Sequence, residues 1–436
     1  MLIILALAML LACLFLGVPI PHSFLASTAV IVYGGGYDSV FLFSYGFSKM
    51  SSILLMAIPM FVLAGSIMNR GGIGEKLIES IEKTGICRIK GGLGSVAAIA
   101  CAIFGAVSGS ASATLSCIGS IMSPRLVENG YDKGFVGALI SSCSVLGLLI
   151  PPSMSMILYA WVVNQSVLAC FLATVLPGVM LVILFSLVNF AYARNNPNIK
   201  VIQKNTNKKQ HIDINNKREK RKSIFPALFM PVIILGSIYG GLLTPTEAAA
   251  LSVLYALPVG AFYYRKLKIR DFREAVIESG ITTGVIMVML FSVMILSRLY
   301  TMENIPQKLL DLFYAISKNR YVILVMINIF MIVIGMLMDD TSGVLLVSPI
   351  LAPIFIELGM SPIHLAAIVG VNLGMGNITP PAAPLLYFAG RITGAETSSM
   401  LSPMISLILF AWLPTLILVT YFPEFVLFLP KLLGSM

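Results

Sequence analysis

The sequence predicts an all-α polytopic membrane protein, built as an inverted repeat of two halves that each carry a re-entrant hairpin and a discontinuous helix. Three observations carry that expectation. Apolar residues make up 58% of the 436 positions and charged residues 11%, with a mean hydropathy of +0.94, outside the range of a soluble globular chain. Apolar stretches near the roughly 20 residues needed to cross a bilayer core recur along the whole chain rather than once at an end. A set of prolines and glycines also repeats at one fixed spacing.

In chain order, the first half has apolar segments at 2–20, 23–45, 51–68, 92–107, 109–123, 134–164 and 167–191. Residues 1–20 have no basic n-region and no A-x-A-like cleavage site, so they read as a first span rather than a signal peptide. The second half repeats the style at 224–242, 246–264, 280–298, 321–337, 343–358, 363–389 and 403–427. The pairs 92–107 with 109–123 and 321–337 with 343–358 are short, and each reads as a re-entrant hairpin. The segments from Glu75 to Lys90 and from Asn304 to Ser317 are amphipathic, and they follow the related stretches Ile67-Met68-Asn69-Arg70 and Ile295-Leu296-Ser297-Arg298. Both read as interfacial helices bracing a scaffold. Thr244, Pro245 and Glu247 suit a helix start.

Between the halves, Arg194 to Lys222 holds ten basic residues against Asp213 and Glu219. In a membrane protein such a run marks the cytoplasmic side rather than a nucleic-acid or lipid site. Five crossings per half then place Arg70 to Lys90, Arg125 to Lys133, Arg265 to Arg270 and Arg391 inside, as the positive-inside rule requires. Arg298 and the stretch from Lys308 to Arg320 fall outside and do not fit.

Pro124 and Pro353 lie 229 positions apart, and the same offset links Glu128 to Glu357, Gly130 to Gly359, Gly147 to Gly376, and Pro151-Pro152 to Pro380-Pro381. An odd number of crossings per half inserts the second copy upside down. Inverted repeats of this kind place substrate and coupling ions at discontinuous helices near the membrane midplane.

Ser108-Gly109-Ser110-Ala111-Ser112-Ala113-Thr114 sits at the first hairpin turn, and Gly147 to Ser153 interrupts the following span. The second-half counterparts are Asp339-Asp340-Thr341-Ser342-Gly343 and Asn372 to Pro381, with Ser112 matching Thr341. A Pro-Pro pair frees backbone carbonyls. Freed carbonyls at membrane depth need protein or a cavity to satisfy them, and a hard cation bound by oxygens, sodium in particular, fills that need. Carboxylates inside a bilayer point to function by default. Half-helix N-termini at Ser153 and beyond Pro381 suit an anionic substrate.

Other classes find little support. The six cysteines lie mostly in apolar segments without C-x-x-C spacing, and the three histidines are scattered. That excludes a recognisable metal or enzyme constellation. No Walker P-loop is present, so the energy source expected is an ion gradient, and the two-hairpin design favours alternating access over a pore.

The stretches AIPMFVLAGSIMNRGG from Ala57, GAVSGSASAT from Gly105, GLLIPPS from Gly147, LLTPTEAAA from Leu242, DDTSG from Asp339 and NLGMGNITPP from Asn372 together resemble the large permease subunit of TRAP (tripartite ATP-independent periplasmic) transporters, DctM type. The likeness spans essentially the whole chain. It implies a sodium-coupled importer of organic acids in a bacterial inner membrane, such as C4-dicarboxylates, sialic acid or other sugar acids. It also implies a periplasmic substrate-binding protein, a small four-span membrane subunit and an elevator motion of a transport domain against a scaffold. Residues 1–50 have room for two spans, so the small subunit is expected as a separate chain. The alternative is a stand-alone sodium-coupled anion carrier of related architecture.

Carried over by the resemblance, one sodium site involves Ser110, Ser112, Gly147 and Pro151. The other involves Asp340, Thr341, Ser342, Asn372, Gly376 and Thr379, and the candidates for substrate contact are Ser108, Ser153 and Pro381. The expected division is 1–91 scaffold and first arm helix, 92–166 transport domain, 167–320 scaffold with linker 194–222 and second arm helix, 321–398 transport domain, and 399–436 C-terminal helix.

Overall fold

The computed structural model describes residues 2–201, 223 and 225–435; most of the basic linker, 202–222, lies outside the described residues. The described residues are helical, without strands. Among the described residues, seven helices are long and apolar enough to cross a membrane, or eight if one bent pair counts as a span.

The chain begins with α1 (Leu2–Phe15), α2 (Ile20–Gly35) and α3 (Ser39–Met50). The expected single segment 23–45 is therefore two helices. Gly36 adopts φ +67°, a left-handed conformation that ends α2, and the Asp38 carboxylate accepts from the Val40 N–H to start α3. A 3₁₀ turn, Ile53–Met56, leads into α4 (Ala57–Arg70). The first amphipathic segment is helical as α5 only over Ile73–Glu82, because Gly85 at φ +87° turns the chain before Lys90.

The first hairpin is α6 (Gly92–Ser108) and α7 (Ala111–Glu128), and the broken span is α8 (Lys133–Leu149) and α9 (Met154–Val163), bent by 44°. Then follow α10 (Val167–Asn195), α11 (Phe225–Tyr239), α12 (Pro245–Tyr263), α13 (Ile269–Met302) and α14 (Ile305–Ile316). α12 opens with a complete capping box: the Glu247 N–H donates to Thr244 Oγ1, and Glu247 Oε2 accepts from the Thr244 N–H at 2.8 Å. At 34 residues, α13 is about 51 Å long. It adds the charged turns from Arg270 to Glu278 to the apolar stretch the sequence marks.

The second hairpin is α15 (Arg320–Leu337) and α16 (Asp340–Glu357), followed by α17 (Pro362–Gly376), the break and α18 (Pro384–Thr393); α19 (Thr397–Tyr421) and α20 (Pro423–Leu432) close the chain. α7 and α16 have the same length and keep the 229-residue offset. Both Pro-Pro bonds, 151–152 and 380–381, are cis.

The two broken helices form the centre. Every residue of α8 except Lys133 and every residue of α17 except Pro362 is buried, as expected of helices that are apolar all round. α3, α13 and α15 instead expose large apolar side chains, including Phe43, Ile281 and Ile329. The packing is reciprocal. α9, from the first half, lies on α16 of the second hairpin, and α18, from the second half, lies on α7 of the first. Likewise α8 packs on α19 and α17 on α10. Five of the six cysteines, all free thiols, are buried in this packing.

Candidate functional site

Two glycine pairs let the hairpins approach the breaks. A Cβ on Gly105 would lie 2.5 Å from the Gly147 Cα, and one on Gly376 would lie 2.6 Å from the Gly335 Cα. At both crossings backbone meets backbone, which only small residues permit.

At the first tip, Gly109 (φ +62°) ends α6 and the Ser110 hydroxyl caps α7 by accepting from the Ala113 N–H at 3.4 Å. Ser110 and Ser112 hydroxyls are 3.1 Å apart, and Ser108 and Thr114 hydroxyls are also 3.1 Å apart. The Thr114 hydroxyl donates to the Ser110 carbonyl at 2.8 Å. The Met154 N–H donates to the Gly109 carbonyl at 3.1 Å, tying the tip to the start of α9.

At the second tip, Asp339 takes the capping position that Ser110 holds in the first. Its carboxylate accepts from the Thr341 N–H at 3.1 Å and from the Ser342 hydroxyl. The Ser155 hydroxyl, from α9, donates to Asp340 Oδ2 at 2.7 Å. The Asn377 side chain spans the tip and the break: with its amide assigned so that both groups are satisfied, its nitrogen donates to the Met338 carbonyl at 2.9 Å and its oxygen accepts from the Asp340 N–H at 3.2 Å.

Both tips open on one cavity of about 560 Å³. Ser110, Ser112, Ser155, Asp339, Asp340, Thr341, Ser342 and Asn377 line it, with Thr282 and Met289 of α13 and Pro19 to Pro21 opposite. A second cavity of about 240 Å³ shares Ser110, Ser112, Met154, Thr282 and Phe388 and adds Ser66, Asn69, Ser108, Ser116 and Glu278. Among the described residues, neither is lined by a lysine, arginine or histidine. Four helix N-termini reach the larger one, through Ser110 (α7), Met154 (α9), Asp339 (α16) and Pro384 (α18). Each brings first-turn N–H groups, some of them already held by caps and contacts, and the positive end of a helix dipole. Hydroxyls, carboxylates and carbonyls are the donors that a hard cation takes, while the converging N-termini suit an anion.

The structure thus brings Ser108, Ser110, Ser112, Asp340, Thr341 and Ser342 to the cavities and leaves the other sequence candidates beside them. Gly147 packs on the Ser110 carbonyl, and Pro151 is buried. Ser153 is fully buried, its hydroxyl accepting from the Met156 N–H at 3.4 Å as the cap of α9. Gly376 contacts Gly335, and the Thr379 hydroxyl donates to the Met375 carbonyl at 2.6 Å. Pro381 is exposed, its carbonyl accepting from the Tyr387 hydroxyl. Asn372 lies deeper, its amide nitrogen donating to Asn328 Oδ1 at 2.9 Å and to the Ile368 carbonyl at 2.8 Å. Asn328 in turn donates to the Thr420 hydroxyl. The Asn372 Oδ1 is buried without a hydrogen-bond partner.

Ser155 and Asn377 are site residues that the sequence reading missed. Both lie in stretches it quotes or adjoins, after one Pro-Pro pair and before the other. A polar side chain within three residues of a helix break is the signal that would have found them.

Comparison with known proteins agrees with this architecture. Residues 7–425 match the family model described as "Tripartite ATP-independent periplasmic transporter, DctM component". The chain is 33% identical over 380 residues to the C4-dicarboxylate TRAP transporter large permease protein DctM of Pseudomonas aeruginosa, covering 87% of each. It is 31% identical over 420 residues to the sialic acid TRAP transporter large permease protein SiaM of Vibrio cholerae, covering 96% of each. It is also 31% identical over 422 residues to the isethionate TRAP transporter permease protein DctMQ of Oleidesulfovibrio alaskensis, covering 95% of this chain but spanning 64% of that protein. The fold is similar to the crystal structure of the YdaH transporter of Alcanivorax borkumensis, with a TM-score of 0.59, 15% identity and 88% of each chain covered. With the family model spanning nearly its entire length, the chain belongs to the DctM-component family of tripartite ATP-independent periplasmic transporters, and is a multi-pass inner-membrane transport protein rather than an enzyme.

Proposed function

We propose that this chain is the large membrane subunit of a sodium-coupled importer of organic acids. In that role it receives substrate from a periplasmic binding protein and works beside a small four-span membrane subunit. The observation that carries the reading is the single cavity on which four helix N-termini and both hairpin tips converge. An organic acid brings negative charge to a wall that already holds Asp339 and Asp340. Sodium ions at the tip oxygens offset the aspartates, and the hydroxyls and helix N-termini then hold the substrate carboxylate or sulfonate. Coupling follows, because without the cation the anion meets like charge. The relatives named for C4-dicarboxylates, sialic acid and isethionate all concern acidic solutes, which supports the substrate class.

On this reading the two halves are inverted, and the reciprocal packing of α9 on α16 and α18 on α7 supports a two-fold relation between them. The unit that moves is α6–α9 with α15–α18. α2–α4, α12 and α13 stand still, and the sliding surface runs along Thr282 and Met289 of α13.

The test is uptake by the chain reconstituted with its binding protein and small subunit. Replacing sodium by choline at constant pH is expected to abolish uptake of a dicarboxylate or sialic acid, and undiminished transport would overturn the proposal. Robust uptake by this chain alone would favour the stand-alone carrier.

A further inference from the structure

Two arginines hold corresponding places in the halves, and their surroundings are opposite. Arg70, after Ile67-Met68-Asn69, pairs with Glu274 at 2.6 Å and with Glu278 at 3.1 Å. Arg298, after Ile295-Leu296-Ser297, has no ion-pair partner among the described residues. Its guanidinium lies 5.5 Å from the centre of the Tyr45 ring, and its Nε is buried without a hydrogen-bond partner. The Lys49 ammonium lies 5.6 Å from the same ring. Two cations at one aromatic ring are a costly arrangement unless something negative visits them.

Beside this pair is a cavity of about 590 Å³, lined by Tyr45, Lys49, Ser52, Asn164, Gln165 and Ser297 among others and, among the described residues, by no carboxylate. It lies at the seam where α3 and α13 meet α9 and α16. Asn164 and Gln165 precede α10, whose 29 residues span about 44 Å before Asn195 opens the basic linker. The cavity therefore faces the side of the membrane opposite the linker, where the positive-inside rule disfavours cations. Arg298, like the stretch from Lys308 to Arg320, is a cation that the positive-inside rule does not place on that side.

We propose that Lys49 and the amides and hydroxyls of this cavity, with Arg298 adjoining it through Ser297 and the Tyr45 ring, form an outward-facing vestibule that recruits the carboxylate or sulfonate of a small organic acid before it reaches the hairpin tips. Unpaired cations in a cleft with low-dielectric walls concentrate anions locally. The inner seam lacks that property. There Arg70 is neutralised, and Glu278 lines the cavity next to Ser108 and Ser110, so an anion is attracted from one side and not retained at the other. The physiological role rests on the import reading above; the anion preference of the cavity does not.

The chain contains two tryptophans. Trp161 lines this cavity and Trp412 is fully buried elsewhere, so W412F leaves one fluorescent reporter. In W412F full-length protein held in neutral phosphatidylcholine nanodiscs, iodide is expected to quench Trp161 more strongly than caesium does. K49Q combined with R298Q should lower the iodide quenching constant at least about two-fold and leave quenching by neutral acrylamide unchanged. R298K, which keeps the charge, should hold the iodide constant at the parent value. An iodide constant unaltered by the double neutralisation, or an equal fall with acrylamide, would overturn the vestibule. No substrate enters this measurement, so its failure leaves the import reading standing, while failure of sodium-driven uptake leaves the anion preference standing.

Discussion

The two hairpin tips share a backbone plan and differ in charge. Each begins its second arm with a capping side chain at the same repeat position, Ser110 in one and Asp339 in the other. Each meets a broken helix through a glycine pair. The first tip offers hydroxyls and carbonyls alone, and the second adds two carboxylates, Asp339 and Asp340, with Ser155 and Asn377 holding Asp340 from outside its own hairpin. Duplication thus supplies the geometry twice, and substitution makes the tips unequal: one can hold a cation only by dipoles, the other by net charge.

The largest expected effect comes from removing that charge. Asp340→Asn keeps the shape and an oxygen for the Ser155 hydroxyl, and should raise the sodium concentration for half-maximal uptake about 10- to 100-fold, the value of one charge-assisted contact. An unchanged sodium dependence would show that the second tip works as the first does. Next comes the shared backbone plan. Gly376→Ala places a methyl against Gly335, and Gly147→Ala places one 2.8 Å from the Ser110 carbonyl. Each should cost about 1–3 kcal/mol in detergent unfolding measurements, and an unaltered melting temperature in either would remove the close-approach argument from that tip. The smallest effect belongs to the neutral tip. Ser112→Ala, which deletes a hydroxyl 3.1 Å from Ser110 Oγ, should weaken sodium dependence about 2- to 10-fold. A loss as large as that of Asp340→Asn would erase the proposed difference between the tips.

The parts of this arrangement that were legible in the sequence are local. Pro151-Pro152 and Pro380-Pro381 mark the breaks, and Thr244 with Glu247 marks a helix start. The fixed offset aligns α7 with α16 to the residue. Each depends on neighbours in the chain or on the copy of a pattern. What stayed hidden is non-local. Ser155 meets Asp340 across 185 residues, Asn328 meets Asn372 across 44, and Thr420 meets Asn328 across 92. No periodicity encodes such pairings. The first fifty residues were misread for a different reason: apolar composition is blind to a single left-handed glycine, and Gly36 divides one apolar stretch into two helices.

The crossed docking of α9 and α18 has a consequence for how the protein can be made. Each half has a hairpin arm packed against a helix from the other. The first half synthesised therefore waits in the bilayer with the flank of α7 that α18 will cover still bare until α18, 256 residues further on from Glu128, is made. During that interval it depends on lipid, or on the insertion machinery, to shield the surface.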